Sequence, residues 1–199
     1  MKDRPDQLVG VVGLGAGSVA AYALPNRHFT FFEIDPQVEA IAREFFTFLP
    51  RCGNQCDVVL GDGRLSLVNF PDRHFDLLIL DAFNSDSIPA HLVSKEALAM
   101  YRSKIKPDGA ILFHVSNRYL RTEDLVAALV TDAGLPALSR NDTDESDFGK
   151  SESQYIIAAL NSESISPLAE KRQWMPVTRP DRIVPWTDDY SNLLGILRW

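Results

Sequence analysis

Short, mostly apolar runs alternate with helical stripes from residue 8 to residue 130, and this alternation restricts the fold more than any other feature of the 199-residue chain. Residues 8–12, 28–32, 58–60, 75–80 and 110–115 each read as a strand, the first as a buried one and the fourth as apolar on both faces. Helical patterns lie between them. Ser18 opens a small-residue helix that runs to residue 24. Pro36 sits well as the first residue of a helix in which Val38, Ile41, Ala42 and Phe45 form an i, i+3, i+4, i+7 stripe. Ser94 opens a helix carrying Ala97, Leu98, Met100 and Tyr101, and Pro107-Asp-Gly109 reads as a turn. Thr122 opens a further helix with acidic residues in its first turn. Strands apolar on both faces and separated by helices predict an α/β fold: a doubly wound, mostly parallel sheet with helices on both faces.

After Gly134 the pattern changes. Residues 135–139 and 154–160 read as strands with no helix between them, which suits an antiparallel hairpin at the sheet edge. The segment joining them is polar, with Asp142, Asp144, Glu145 and Asp147, and reads as a solvated loop. Residues 161–199 hold Pro167, Pro176, Pro180 and Pro185 and little periodicity. The expected organisation is one α/β domain over residues 1–160 and a C-terminal tail, 161–199, packed on the same domain.

Charge and composition exclude some partners. A formal net charge of −7 argues against nucleic acid, because phosphate contacts need a basic face. No apolar run reaches the roughly 18 residues of a membrane span, so no membrane contact is expected from this chain. The first residues lack the apolar core of a signal peptide, and the expected setting is the cytoplasm. Cys52 and Cys56 have no second Cys/His pair nearby, so no metal site is expected and the two read as free thiols in a reducing compartment. His28, His74, His91 and His114 are scattered without metal-ligand spacing.

Four motifs carry chemistry. Gly13-Leu-Gly15-Ala-Gly17 directly follows the first strand, where glycines allow a sharp turn and let a ligand approach the peptide groups. A bare strand–helix turn would look much the same, and the dinucleotide fingerprint is broken by Ser18. Glu33 ends the second strand, where a carboxylate can accept from both hydroxyls of a ribose. Asp35 reads instead as the cap of the next helix. Asp62-Gly63 follows the third strand, either as an acceptor for an adenine amino group or as a plain Asp-Gly turn. Asp81 ends the fourth strand, at the mouth of a doubly wound sheet. Four apolar residues precede it, which suits a partly desolvated base. The competing reading is a carboxylate that only orders the loop.

These motifs, in this order, resemble the spermidine synthase (polyamine aminopropyltransferase) family within the class I methyltransferase-like Rossmann fold. The likeness covers roughly residues 8–160. The wording from Val11 to Gly17, with Trp186-Thr-Asp-Asp189 near the end, resembles bacterial spermidine-synthase-like domains, some fused to multi-pass membrane segments. The resemblance implies decarboxylated S-adenosylmethionine, or ordinary S-adenosylmethionine, as group donor, with no metal. Gly13, Gly15, Gly17, Glu33, Asp62 and Gly63 would hold the donor. Asp81 would be the catalytic proton acceptor, and Asn84 and Asp86 would lie on the side of a small-molecule amine. Where the family has Asp-Ser-Ser-Asp, this chain has Asp81-Ala-Phe-Asn84, and the family's small N-terminal β domain is not expected within the few residues before the first strand. Three readings therefore stay open: an aminopropyltransferase, a methyltransferase, and a silent nucleoside-binding domain of a larger protein, the last suggested by Asn84. Ser18 and Asp62 speak against a nicotinamide dehydrogenase. A homodimer is left open.

Overall fold

A computed structural model describes residues 6–82, 88–143, 152–171 and 173–198. The strands are β1 (Gln7–Val12), β2 (Arg27–Glu33), β3 (Cys56–Leu60), β4 (Phe75–Leu80), β5 (Ile105–His114), β6 (Ala137–Asp142), β7 (Ser153–Ala159) and β8 (Met175–Pro176). They form one sheet in the order β3-β2-β1-β4-β5-β7-β6-β8. β1 to β5 run parallel, and β7, β6 and β8 join by antiparallel pairs. The expected α/β class and the antiparallel β6–β7 hairpin are both present. The chain winds outward from β1 to β3, then returns to lay β4 on the other side of β1. That reversal opens a crevice beyond the carboxyl ends of β1 and β4, where ligands bind in sheets of this kind.

The helices are α1 (Pro36–Phe45), α2 (Phe48–Cys52), α3 (Gly63–Val68), α4 (Lys95–Lys104), α5 (Thr122–Asp132) and α6 (Ser166–Ala169). Side-chain alternation along the strands sorts them into two layers. Val12, Phe32, Leu78, Leu80 and Phe113 face α3, α4 and α5 in the larger core cluster. Val9, Val11, Phe29 and Phe31 face α1 and α2 in the smaller one. Local chemistry fixes where helices begin. The Asp35 side chain accepts from Gln37 N at 2.8 Å ahead of Pro36, the Asp62 side chain from Leu65 N at 2.9 Å, and Ser94 Oγ from Ala97 N at 3.0 Å.

Several expectations need correction. The segment after the glycines is a single 3-10 stretch, Ser18–Tyr22, not a helix to residue 24. On α1, Ala42 is buried while Ile41 and Phe45 are 50% and 70% exposed. The helix meets the sheet along one narrow line, so the apolar stripe overstates its contact. Pro107-Asp-Gly109 is not a turn between elements but an irregularity within β5, where the pairing jumps from Phe75↔Ile105 to Leu77↔Ala110. Cys52 and Cys56 are joined in a disulfide rather than free. The 3-10 turn Gly53–Gln55 between the end of α2 and the start of β3 brings their Cα atoms to 5.7 Å, which spacing alone did not reveal.

The second face of the sheet is covered unevenly. Leu77 and Ile79 of β4 and Leu112 of β5 are only partly buried. With Val9, Phe29 and Tyr155 they line a hollow of about 540 Å³. Residues after 160 add to the domain by named contacts: β8 pairs with β6, and Trp186 lies in the larger core, 1% exposed. Among the described residues no helix is long and apolar enough to cross a membrane.

Candidate active site

The crevice at the β1/β4 reversal holds a cavity of about 320 Å³. Each of the first four strands delivers its terminal residues there, because parallel strands in register end together. Val12 pairs with Phe32 on one side and Leu80 on the other, so Gly13, Glu33 and Asp81 come next on three neighbouring strands. Six of the residues singled out by sequence line this one cavity: Gly13, Gly15, Glu33, Asp62, Gly63 and Asp81. Gly17 does not line it. It sits behind the loop, where an added Cβ would come within 3.2 Å of Leu49 on α2. Asn84 and Asp86 lie outside the described residues.

Glu33 is the most constrained of these groups. It is 8% exposed, and its two oxygens accept from Leu14 N and Asp35 N, each at 3.0 Å. A carboxylate oxygen can accept more than one hydrogen bond, so both oxygens retain capacity for a pair of hydroxyls. No cation is paired with Glu33 among the described residues. The backbone N–H groups alone hold the carboxylate in a fixed pose. At Gly15 an added Cβ would meet nothing within 4 Å, so the absence of a side chain leaves that wall of the cavity open. A buried two-oxygen acceptor beside an open glycine turn fits the ribose end of a nucleoside.

Asp62 has two structural duties. One oxygen caps α3, and the other lies 3.0 Å from His91 Nε2. His91 itself lines the cavity, and its carbonyl accepts from Arg64 Nη1 at 2.9 Å. Arg64 then forks onto Asp188 with bonds of 2.6 and 2.7 Å, and Ser94 Oγ donates to the same carboxylate at 2.6 Å. A chain of contacts thus runs from the Asp188 segment to the Asp62 side of the cavity. Sequence reasoning missed His91 and Arg64 because their partners stand 29 and 124 residues away. In the sequence Asp188 stands out only as part of the Trp186-Thr-Asp-Asp189 motif.

The Arg64 guanidinium and the Ser94 hydroxyl hold the Asp188 carboxyl well below its ordinary 3.8, at about 2. A depressed carboxyl contributes stability above its unfolded value and loses it as pH falls through the folded one. Asp188→Asn is therefore expected to be less stable than the parent near neutral pH, with the gap closing between about pH 4 and about pH 2. Urea midpoints of both proteins across that range check this. A gap that does not change with pH counts against the Arg64–Asp188 clamp.

At the other end of the cavity Asp81 is fixed through its backbone, since Asp81 N donates to Val12 O at 2.8 Å. Its Oδ1 lies 2.6 Å from His114 Nδ1. His114 follows Phe113, which pairs with Leu80, so Asp81 and His114 are successive ends of adjacent parallel strands. The His114 ring stacks on Tyr155 of β7, with centroids 4.9 Å apart and planes 23° apart. In the sequence two strands each end on a titratable residue, and only the pairing of β4 with β5 shows that these ends are neighbours. Asp81 borders both the cavity and the hollow. Among the described residues no group of three or more His, Cys, Asp and Glu side chains is placed to hold a metal ion.

No protein-family model matches the chain. Over 114 residues it is 32% identical to the polyamine aminopropyltransferase of Vibrio vulnificus, a match covering 55% of this chain and 37% of that protein. The chain thus spans well under half the length of this curated relative. A probable spermidine synthase from Corynebacterium glutamicum shares the fold at a TM-score of 0.65 and 16% identity, covering 94% of this chain and 74% of that one. Human methyltransferase-like protein 13, solved in complex with SAH, matches at a TM-score of 0.62 and 20% identity, covering 91% and 87%. A partial sequence likeness and a shared fold agree: this chain resembles the spermidine synthases and is built on the class I methyltransferase-like fold.

Proposed function

We propose that the chain binds a sulfonium nucleoside and transfers an alkyl group from it to a small amine, with decarboxylated S-adenosylmethionine as the donor and an aminopropyl group as cargo. The observation that carries this reading is the convergence of Gly13, Glu33 and Asp81 on one cavity from three adjacent strand ends. The donor's contribution is a carbon made electrophilic by the neighbouring positive sulfur. Glu33 accepts from the ribose hydroxyls in a pose already set by Leu14 N and Asp35 N. Gly15 leaves room for the ligand against the turn, and Asp62 and His91 form the adenine wall. Asp81 and His114 face the reacting end, where the attacking amine must be held and lose a proton. Asn84 and Asp86, on the segment that follows Asp81, belong to the amine side in this reading.

Methyl transfer from ordinary S-adenosylmethionine is the second reading. It is favoured by the likeness in fold to a methyltransferase-like protein, since the same cavity could serve either donor. Calorimetry separates them: the proposal expects methylthioadenosine and the decarboxylated donor to bind more tightly than S-adenosylmethionine, and the reverse order favours methyl transfer. Glu33→Ala is expected to weaken methylthioadenosine binding by about 1–3 kcal/mol, because ribose hydroxyls would be buried without partners. Glu33→Gln, similar in shape, separates lost charge from lost volume. Affinity unchanged in Glu33→Ala, in protein shown to be folded, would remove the nucleoside assignment.

A further inference from the structure

The Asp81–His114 pair has a direction that fixes which atom can take a proton. An ionised carboxylate has no hydrogen to give, so the 2.6 Å contact with Asp81 Oδ1 makes His114 Nδ1 the donor. In the neutral imidazole the other nitrogen, Nε2, then carries the free lone pair. Among the described residues no protein group is hydrogen-bonded to Nε2, and the ring lines the 540 Å³ hollow that Asp81 also borders. Stacking on Tyr155 holds the ring plane. The result is a carboxylate behind an imidazole and an unshared lone pair on the far side, at the carboxyl ends of β4 and β5. Carboxylate–imidazole pairs of this geometry orient a base and stabilise the charge it acquires.

We propose that His114 Nε2, not an Asp81 oxygen, accepts the proton of the attacking group, and that Asp81 is the positioning residue that sets its tautomer. This rests on the transfer reading above and adds the identity of the base. In the step, the amine nitrogen's lone pair forms the new N–C bond. The C–S bond breaks with its electron pair going to sulfur, leaving a neutral thioether. The surplus proton on nitrogen passes to Nε2, so the positive charge moves from sulfur to an imidazolium beside the Asp81 carboxylate. The hollow, apolar along Leu77, Ile79 and Leu112, is the approach for the carbon chain of the amine.

The groups facing His114 are Asp81 from β4 and Tyr155 from β7, while Arg27 and Asp76 also line the hollow. Nitrogen-15 NMR, with the His114 signal assigned by its loss in His114→Gln, reads the tautomer without any turnover. The neutral ring is expected with Nδ1 protonated, and that tautomer is expected to lose its dominance in Asp81→Ala, where the acceptor for Nδ1 is gone. Methylthioadenosine release from the decarboxylated donor and putrescine is expected to drop about 10²–10⁴-fold in His114→Gln, with methylthioadenosine affinity within about threefold of the parent. An Nε2-protonated neutral ring in the parent, or a tautomer balance unmoved by Asp81→Ala, overturns the pair. A His114→Gln rate close to that of the parent overturns the base while leaving the transfer reading standing. A parent chain that binds methylthioadenosine but transfers nothing, from either donor, overturns the transfer reading and the base with it.

Discussion

Gly13→Ala is expected to destabilise the domain by about 2–5 kcal/mol and to abolish measurable methylthioadenosine binding. Gly13 has φ +101°, outside the range an L side chain adopts comfortably, and an added Cβ would lie 2.5 Å from Asp81 O and 2.9 Å from Asp81 C. Those atoms are backbone and cannot rotate away. They are also pinned, because Gly13 N donates to Phe32 O at 2.9 Å and Asp81 N to Val12 O at 2.8 Å. Relief must come from separating the ends of β1 and β4, the two strands that frame the cavity. Gly15→Ala is the control. Its φ of +53° lies in the left-handed region at a cost of about 1 kcal/mol, and nothing stands within 4 Å of the new Cβ. That variant should fold and lose affinity by filling the turn. Urea unfolding and calorimetry on both proteins check the pair. A Gly13→Ala chain within about 0.5 kcal/mol of the parent would mean that the turn yields where the geometry says it cannot.

What the sequence made legible followed from local rules, and what it hid followed from contacts at long range. Continuous apolar runs announced β1, β2, β4 and β5, and the Asp35-Pro36 pair announced the start of α1 with its capping bond. Strand ends also announced the cavity, since parallel strands in register must present Gly13, Glu33 and Asp81 together. The partners of those residues were not readable. His114 looked isolated because nothing in one sequence says that strands four and five are neighbours in register. Cys52 and Cys56 looked like free thiols because their pairing depends on a 3-10 turn with no strong signature. The hollow over β4 and β5 escaped notice for a related reason. Leu77, Ile79 and Leu112 have the composition of a covered strand face, yet the 3-10 segment Ser18–Tyr22 is too short to cover them. Asp62 shows that one position can satisfy both of its readings, being a helix cap on one oxygen and a wall of the cavity with the other.

Trp186→Ala is expected to cost about 3–5 kcal/mol, the range for truncating a fully buried large aromatic, and to weaken nucleoside binding as well. Among the described residues the indole is the largest fully buried side chain, and it packs in the same cluster as Leu98, Tyr101 and Phe113. Removing it leaves a cavity under α4, whose first N–H, on Lys95, donates to Trp186 O at 2.9 Å. Two residues later Asp188 grips Arg64 and Ser94, and Asp188 N donates to Glu96 Oε2 at 2.9 Å. Loosening the Trp anchor therefore releases the clamp on Arg64, and Arg64 in turn holds the carbonyl of His91, whose ring lies against Asp62. The effect on binding should arrive through that route, so Trp186→Ala and Asp188→Asn should weaken methylthioadenosine binding by less together than the sum of their separate effects. Trp186→Phe, which refills most of the volume, should recover much of the stability. Denaturant midpoints and calorimetry on the three single variants and the double variant supply the comparison. A Trp186→Ala loss below about 1 kcal/mol would mean that this segment lies against the domain without being part of its core. Strict additivity in binding would mean that the clamp and the anchor act separately, and that the route from Trp186 to Asp62 is contact without coupling.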